Sequence, residues 1–418
     1  MIKKIELENF FSFGEKQTLD LNSGVNILVG INGSGKSNFL KAIAFLAEGM
    51  REGGSIQRLI NSWGGFDSVC NYSGEAKDII RLSFEFDRER IAQSIERQEP
   101  ELVGDPIYEI EIQRVGSSDY ALKERVSAKS IIGDYVSKSG FVYLEMDNGK
   151  GYLRELIDDP VKPHSKVFSL VNYEQPGELF NGRELVLNQL NDPKRYPALR
   201  AFKLAVQKLA AYNYFNTSFS SEIRRYQPDT IDVKLQTNGQ NLFSIIQSIA
   251  RNAPTDFEKL EETLKLVNPA FKNVRIDVQN GRLGIVLAET SLTRTVPIES
   301  ISDGTLQFLL LMAVFFNPAR GNVVCFDEPD KGLHPDMLRL VAEMMNYAVK
   351  SGTQVFVSTH NPLLLNSFEL DDLWLFEKDD QNQTVIRSKS EEDLGNWVDN
   401  FLPGDLWLKG LIGARRRA

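Results

Sequence analysis

Gly30-Ile31-Asn32-Gly33-Ser34-Gly35-Lys36-Ser37 is the stretch from which the rest of the chain can be read. It follows the apolar run Val25-Asn26-Ile27-Leu28-Val29 and precedes an Ala-containing apolar segment, Phe39 to Leu46, that reads as a helix. Strand, glycine-rich turn and helix in that order are the context a phosphate-binding loop requires. Gly30, Gly33 and Gly35 let the backbone curl until successive N–H groups point inward at a phosphate, and the dipole of the following helix adds to the attraction. Lys36 then supplies a cation for the β- and γ-phosphates and Ser37 a hydroxyl for Mg²⁺, with Asn32, Ser34 and Asn38 completing the expected binding set. A glycine-rich turn without function is the rival reading, and the strand and helix flanks weigh against it.

A second cluster lies almost three hundred residues on. Val323-Val324-Cys325-Phe326 is a short apolar run of the kind found in buried parallel strands, and it ends in Asp327-Glu328-Pro329. A carboxylate at the end of such a strand can hold the Mg²⁺ shell, as expected of Asp327. Glu328, one residue further, is the natural base or positioner for an attacking water. A solvated acidic turn is the alternative, disfavoured by the buried strand that feeds directly into it. Upstream, Ser302-Asp303-Gly304-Thr305 opens the long apolar segment Leu306 to Phe316, so that Ser302 caps an anion-binding helix start. Downstream, the apolar strand Gln354-Val355-Phe356-Val357 leads to Ser358-Thr359-His360-Asn361-Pro362. His360 is one of only three histidines, and its place at a strand end puts an imidazole where it could donate to a γ-phosphate.

These four features in this order resemble the ATP-binding-cassette (ABC) ATPases. Within them the chain is similar to the RecF, SMC and overcoming-lysogenization-defect branch, and most to stand-alone bacterial ATPases described as AAA-type. Ile5-Glu6-Leu7-Glu8-Asn9-Phe10-Phe11-Ser12-Phe13, the run GINGSGKSNFLKAI, DEPDKGLHP and STHNP carry the likeness, which covers residues 1 to 90 and 270 to 412 well and the middle in outline. The resemblance implies that Ser302 and Gly304 form the signature motif, contacting the γ-phosphate of ATP held by a second protomer, so that two ATP molecules are sandwiched between two heads. Three departures stand out. Asp303 occupies a place that is glycine in transporter cassettes. No glutamine loop can be assigned, Gln57 being a weak candidate and Trp63-Gly64-Gly65 filling that part of the head. Asp330-Lys331-Gly332-Leu333-His334-Pro335 reads either as a dimer-facing loop, with Asp330 and His334 near the interface, or as a plain helix-start turn.

A chain of 418 residues with 42% apolar content suffices for one head with an inserted subdomain, or for two domains. The expected fold is an α/β ABC-ATPase head split by an insertion: residues 1–90 an N-terminal lobe, 91–270 an inserted subdomain of strands then helices, and 271–418 a C-terminal lobe. Asn148-Gly149 and Asn280-Gly281 predict hairpin turns, and residues 175–270 read as mostly helical. Nothing sustains the heptad repeat of a long coiled-coil arm. Met1-Ile2-Lys3-Lys4 opens straight into a strand and no run approaches a membrane span, so a cytoplasmic protein without membrane contact is expected. Cys70 and Cys325 read as reduced thiols. Glu369, Asp371 and Asp372 read as a turn rather than a metal cage. The closing Gly404 to Gly410 resembles the usual family ending, and the chain is expected to be complete.

A formal charge of −9 weighs against a protein that coats itself in DNA, although a local basic surface would suffice for contact. Lys194-Arg195, Arg224-Arg225 and Arg415-Arg416-Arg417 are the candidates, each with a solvated face as the bland alternative. The aromatic cluster Phe10, Phe11 and Phe13 is open to adenine stacking or to core packing. The expected function is ATP binding and slow hydrolysis with Mg²⁺, at sites shared in a homodimer or higher homo-oligomer. The expected output is control of a separate effector protein, as in anti-phage systems. The alternative is a RecF-like DNA clamp; a transporter cassette is disfavoured by the long insertion.

Overall fold

In the computed structural model, Val25–Val29 is a strand buried at all five positions. The described residues are 1–71, 78–95, 102–117, 119–129, 140–158, 166–173, 180–388, 391–397 and 400–413. They form two units, one made of Met1–Ser23, Asn32–Leu209 and Phe376–Arg387, the other of Gly24–Ile31, Ala210–Leu375 and Ser388–Ala418.

The second unit is built around Val25–Val29. This strand pairs in parallel with Gln354–Thr359, placing Val29 opposite Thr359. Gln354–Thr359 pairs in parallel with Val323–Asp327, placing Asp327 opposite Ser358. Leu373–Leu375 runs parallel on the other side of Val25–Val29, and Leu209–Tyr212 lies outside Val323–Asp327. Central parallel strands are covered on both faces, which is why these read as unbroken apolar runs rather than alternations. Among their polar side chains, Asn26 is fully buried and accepts a hydrogen bond from Trp374 Nε1 at 3.1 Å. Because the strands are parallel, Val29, Asp327 and Thr359 end on one rim, where open α/β sheets bind ligands.

Parallel neighbours need a crossover, and helix Pro335–Lys350 supplies it between Val323–Asp327 and Gln354–Thr359. Pro335 sits at its first position, where a missing N–H costs nothing. Helix Asp303–Phe315 is apolar on every side and is buried from Leu306 to Phe315, as a helix without a polar face must be. Phe271–Gln279, Arg282–Glu289 and Val296–Pro297 form a separate antiparallel sheet, with Asn280 and Gly281 at φ 51° and 73° in the hairpin turn.

The first unit carries eight strands in the order Gln17–Asp20, Ile2–Glu8, Ile79–Phe86, Pro106–Val115, Asp119–Ala128, Phe141–Asp147, Lys150–Asp158 and Lys166–Tyr173, antiparallel throughout. Ile79–Phe86 alternates buried and less buried positions, the mark of a sheet with one covered face. Asn148 and Gly149, at φ 50° and 77°, make the predicted hairpin turn.

Mixed α/β architecture is therefore as expected, and among the described residues the longest helix has 16 residues, so no coiled-coil arm is present there. No helix among them is long and apolar enough to cross a membrane. Residues 175–270 differ from expectation. Helices Val186–Gln189, Pro197–Val206, Leu242–Asn252 and Pro254–Val267 are separated by strand Leu209–Tyr212 and by a long segment, 213–241, whose only helical element is the short turn Glu222–Arg224. Strand pairing at the edge of the parallel sheet overrides helix propensity at Leu209–Tyr212, a non-local effect.

Glu124 is the most deeply buried carboxyl of the antiparallel sheet and accepts from Tyr108 Oη at 2.6 Å, from Leu187 N at 3.3 Å and from Val186 N. Burial pushes its pKa up to about 7, against the lowering effect of those donors. Since the folded pKa is raised, the native state holds a proton that the unfolded chain has lost. The stabilisation is complete below the ordinary glutamate range and is lost as pH rises through about 7. Unfolding free energy should fall by about 1.4 kcal/mol per pH unit across that window. Urea melts from pH 4.5 to 8 should show this slope, and Glu124→Gln should flatten it.

Candidate nucleotide site

The turn that leaves Val29 passes from the second unit into the first at Asn32. Ile31, Asn32 and Gly33 are exposed, whereas Ser34, Gly35 and Lys36 are buried. Gly33 and Gly35 adopt φ 80° and 109°, which L side chains avoid. Helix Lys36–Met50 then begins with Gly35 as its cap, a residue with no side chain to bond the amides of the first turn. The hydroxyl of Ser34 is buried and finds no hydrogen-bond partner among the described residues. Uncapped amides, an orphaned hydroxyl and the Lys36 ammonium on one loop fit an anion of several charges. Ser37 is exposed and free to face a cation bound to such an anion.

The loop is held from behind by residues that the sequence reading did not single out. Thr384 Oγ1 lies 2.8 Å from the Ser34 carbonyl oxygen and 2.7 Å from Ser12 Oγ. Ser12 Oγ in turn accepts from Asn38 Nδ2 at 2.9 Å, and the Thr384 N–H donates to the Ser12 carbonyl at 2.7 Å. A Cβ on Gly35 would meet Thr384 Oγ1 at 2.2 Å and Ser12 Oγ at 2.7 Å. Gly35 is thus required twice over, for its φ and for this approach.

Beside the first turn of that helix a cavity of about 520 Å³ is lined by Phe11, Ser12, Asn38, Asn71, Lys378 and Asn382, among others. Phe10 and Phe13 are fully buried core residues, so the aromatic cluster divides. Phe11 alone of the three faces the cavity. It is held at φ 50°, an unusual state for a bulky residue, with the Lys41 ammonium 4.1 Å from its ring centroid and Trp63 edge-on at 5.5 Å. Gln57 lies in the short helix Ile56–Ser62, and its backbone N–H approaches Glu184 Oε1 at 3.4 Å.

In the second unit the end of strand Val323–Asp327 gathers the carboxylates. Asp327 Oδ1 accepts from the Ser358 hydroxyl across the parallel register. Glu328 turns out of the strand at φ 52°, its N–H donating to both the carbonyl and the hydroxyl of Ser358 at 3.1 Å. Its carboxylate lies 3.2 Å from His360 Nδ1, and both side chains are partly exposed. Asp330 is buried and accepts from Thr359 Oγ1 at 3.0 Å, and burial pushes its carboxyl pKa up. His334 caps helix Pro335–Lys350, accepting from Asp336 N at 3.3 Å. The segment Asp330 to Pro335 leads into the start of helix Pro335–Lys350, and Asp330 is hydrogen-bonded within its own chain.

Ser302 caps helix Asp303–Phe315, its Oγ accepting from Thr305 N at 3.2 Å. A Cβ on Gly304 would stand 3.0 Å from the carbonyl oxygen of Gly332, so the start of this helix packs on the loop after Glu328. Asp303 is paired with Arg224 at 2.6 Å, and Arg224 is buried. That corrects its reading as part of an exposed basic patch. Arg225 pairs with Glu222 at 2.9 Å and Arg195 with Glu155 at 2.5 Å. Arg415-Arg416-Arg417 lies outside the described residues. Glu369 and Asp372 form the capping box of a short 3₁₀ turn. Cys70 and Cys325 are both buried and unbridged.

Among known proteins, residues 25–129 and 162–366 match the model of a family described as "AAA domain, putative AbiEii toxin, Type IV TA system". An "ATP/GTP phosphatase" of Helicobacter pylori is 21% identical over 404 residues, 94% of this chain and 93% of that protein. The structural maintenance of chromosomes protein 3 homolog of Plasmodium falciparum is 49% identical over 45 residues, and the chromosome partition protein Smc of Fusobacterium nucleatum 47% over 45. In both, the match spans 11% of this chain and only 4% of the relative. Among solved structures, an Smc head bound to the C-winged helix domain of ScpA superposes with a TM-score of 0.56 at 15% identity, covering 94% of this chain and 98% of that one. A second, bound to the C-terminal domain of ScpA from Pyrococcus furiosus, has an extended coiled coil and gives 0.51 at 14% identity, covering 95% and 98%. At such identities the likeness is one of fold, that of an SMC-type ATPase head.

The buttress behind the loop makes a direct prediction. Gly35→Ala should abolish nucleotide binding, because the new methyl must displace Thr384 and adopt a disfavoured φ. Thr384→Val, which keeps the volume and removes the hydroxyl, should weaken ATP binding by about tenfold, the worth of one good hydrogen bond. Titration with a fluorescent ATP analogue checks both, with a thermal melt to show that the Thr384 variant remains folded.

Proposed function

The chain belongs to this AAA-domain family, and we propose that it is an ATP-binding, slowly hydrolysing switch that closes as a homodimer, or a higher homo-oligomer, around ATP and thereby controls a separate effector protein in bacterial phage defence. The observation that carries the reading is Glu328. A non-glycine residue kept at positive φ at the exit of a buried strand is strain that the surroundings must enforce, and such strain clusters at functional sites. The enforced turn carries its carboxylate out of the strand direction to meet His360. A carboxylate so held is fitted to accept a proton from water, with the imidazole placed to donate to an oxygen that gains charge.

On this reading Lys36 and the amides of Gly33 to Asn38 bind the phosphates of ATP, and the Ser34 hydroxyl gains a partner it otherwise lacks. Ser37 and Asp327 would hold Mg²⁺, which when bound offsets the charge of the phosphates. The cavity lined by Phe11 and Asn71 takes the nucleoside end. Ser302 and the amide of Gly304 read the γ-phosphate of a nucleotide held by the partner protomer. Since each site then needs two copies, ATP joins the copies and hydrolysis parts them.

The relatives support parts of this. The name of the Helicobacter pylori relative supports triphosphate hydrolysis. The family description, with its type IV toxin–antitoxin system, supports a role in such a system. Smc heads bound to ScpA support a protein partner docking on a head of this fold. The clamp reading has less to stand on, since Arg224, Arg225 and Arg195 are engaged in ion pairs.

Lys36→Ala should lower ATP affinity by more than about a hundredfold, measured by equilibrium titration. Glu328→Gln should bind ATP normally, lose about a thousandfold in turnover, and persist as an ATP-bound dimer in light scattering. Full turnover in that variant would remove Glu328 from the role of base. Ser302→Arg should keep nucleotide affinity while losing both the ATP-dependent dimer and hydrolysis; normal activity there would refute the shared site.

A further inference from the structure

Segment 213–241 joins strand Leu209–Tyr212 to helix Leu242–Asn252 with almost no regular structure, a length that compact domains seldom leave to a loop without a use for it. Its course is fixed by a series of side-chain anchors. At its head Tyr212 stacks on Phe326, the residue before Asp327, at 5.0 Å. Tyr214 lies under the Lys331 ammonium at 5.0 Å, in the turn that follows Glu328.

The strongest anchor is Arg224. Its guanidinium is 4% exposed and every side of it is used. Nε donates to the Thr217 carbonyl at 2.9 Å. Nη1 donates to the carbonyls of Ile298 at 2.9 Å and Ile301 at 2.6 Å, with Glu299 at 3.4 Å. Nη2 donates to Asp303 Oδ1 at 2.6 Å. The acceptors of Nη1 and Nη2 bracket Ser302: the turn before it, the residue beside it and the first residue of the helix after it. A planar fork of five donors can hold such a turn in one shape, which an ammonium cannot. The only carboxylate in the set belongs to Asp303, the residue that stands where transporter cassettes have glycine.

We propose that Arg224 is a positioning residue for ATP hydrolysis, fixing the Ser302 turn from within through Asp303, so that the serine hydroxyl and the free helix amides are presented in the geometry the partner's nucleotide requires. The proposal rests on the reading of Ser302 as part of a site shared between protomers. It also explains Asp303, which is the counter-charge to a buried arginine and sits with its own side chain 67% exposed, facing away from the core. An aspartate is acceptable in this signature because its carboxylate is drawn back onto Arg224.

Three variants test it on the full-length protein: Asp303→Asn, Arg224→Lys and the two together, each assayed for ATP affinity, kcat and ATP-dependent dimerisation. Asp303→Asn keeps the shape of the side chain and an oxygen that can accept from Arg224, and a thermal melt run on each variant shows which ones remain folded, so it stays informative if Arg224→Lys folds poorly. Asp303→Asn should cut kcat by about tenfold and weaken the ATP-dependent dimer while leaving ATP affinity at the phosphate loop unchanged, a split that general destabilisation would not give. The double variant should be no worse than the poorer single one, because both act through one contact. Multiplying losses, or an unchanged kcat in Asp303→Asn, would overturn the proposal. Ser302→Arg, run alongside, separates the failures. If it is inactive while Asp303→Asn and Arg224→Lys turn over normally, only the role of Arg224 falls. If it turns over normally, the shared site falls and the proposal with it.

Discussion

Parallel register between Val25–Val29 and Gln354–Thr359 is the constraint on which the second unit depends. The two strands are more than three hundred residues apart, and parallel neighbours cannot be joined by a tight turn, so their pairing must be specified by side chains. Unbroken apolar runs do this weakly, because every register buries about the same surface. The polar exceptions sharpen it. Asn26 accepts from Trp374 of the strand on its other side, which ties down the register there, where a lost hydrogen bond to a buried amide would cost about 1–3 kcal/mol. Once that register is set, Val29, Asp327 and Thr359 must end on one rim, and the residues that follow them inherit their place.

Within each unit the ordinary rules of stability are broken at particular residues. Phe11 and Glu328 hold positive φ, the Ser34 hydroxyl is buried without a partner among the described residues, and Gly35 offers no side chain to cap the helix that follows it. Each departure costs folding free energy, and none is corrected by substitutions that would be simple to make. A glycine at 328 would relieve the strain of its positive φ. Costs of this kind, retained at residues with the chemistry of phosphate binding and proton transfer, are what a functional role predicts.

How far the sequence could be read follows from how local each feature is. The phosphate loop is eight consecutive residues between a strand and a helix, so its chemistry and its context lie together in the chain. The Asp327-Glu328 pair and the Ser302 cap are equally short-range. Thr384 and Ser12 meet behind the loop across more than 370 positions, and no periodicity or spacing links them. Arg224 was misread for a related reason. Beside Arg225 it looks like half of a solvated charge run, and only the tertiary fold reveals that one guanidinium is enclosed by four carbonyls while the other stays outside. Leu209–Tyr212 carries a helix-compatible sequence and is a strand because an edge of the parallel sheet was open to it.

The proposed switch imposes a quantitative demand on these parts. Moving a dimer equilibrium from 1:99 to 99:1 needs a state preference of about ten-thousandfold. Two nucleotides shared by two identical sites must then supply about a hundredfold each, or roughly 2.7 kcal/mol. A serine hydroxyl and one or two helix amides on a charged phosphate oxygen are worth that much when they arrive already aligned. If the turn had to be ordered at the moment of closure, freezing three or four residues would cost about 1–2 kcal/mol each and cancel the gain. A signature turn held rigid before the partner arrives is therefore a requirement of the switch, and a buried arginine bonded through both Nη atoms to that turn is the kind of group able to meet it.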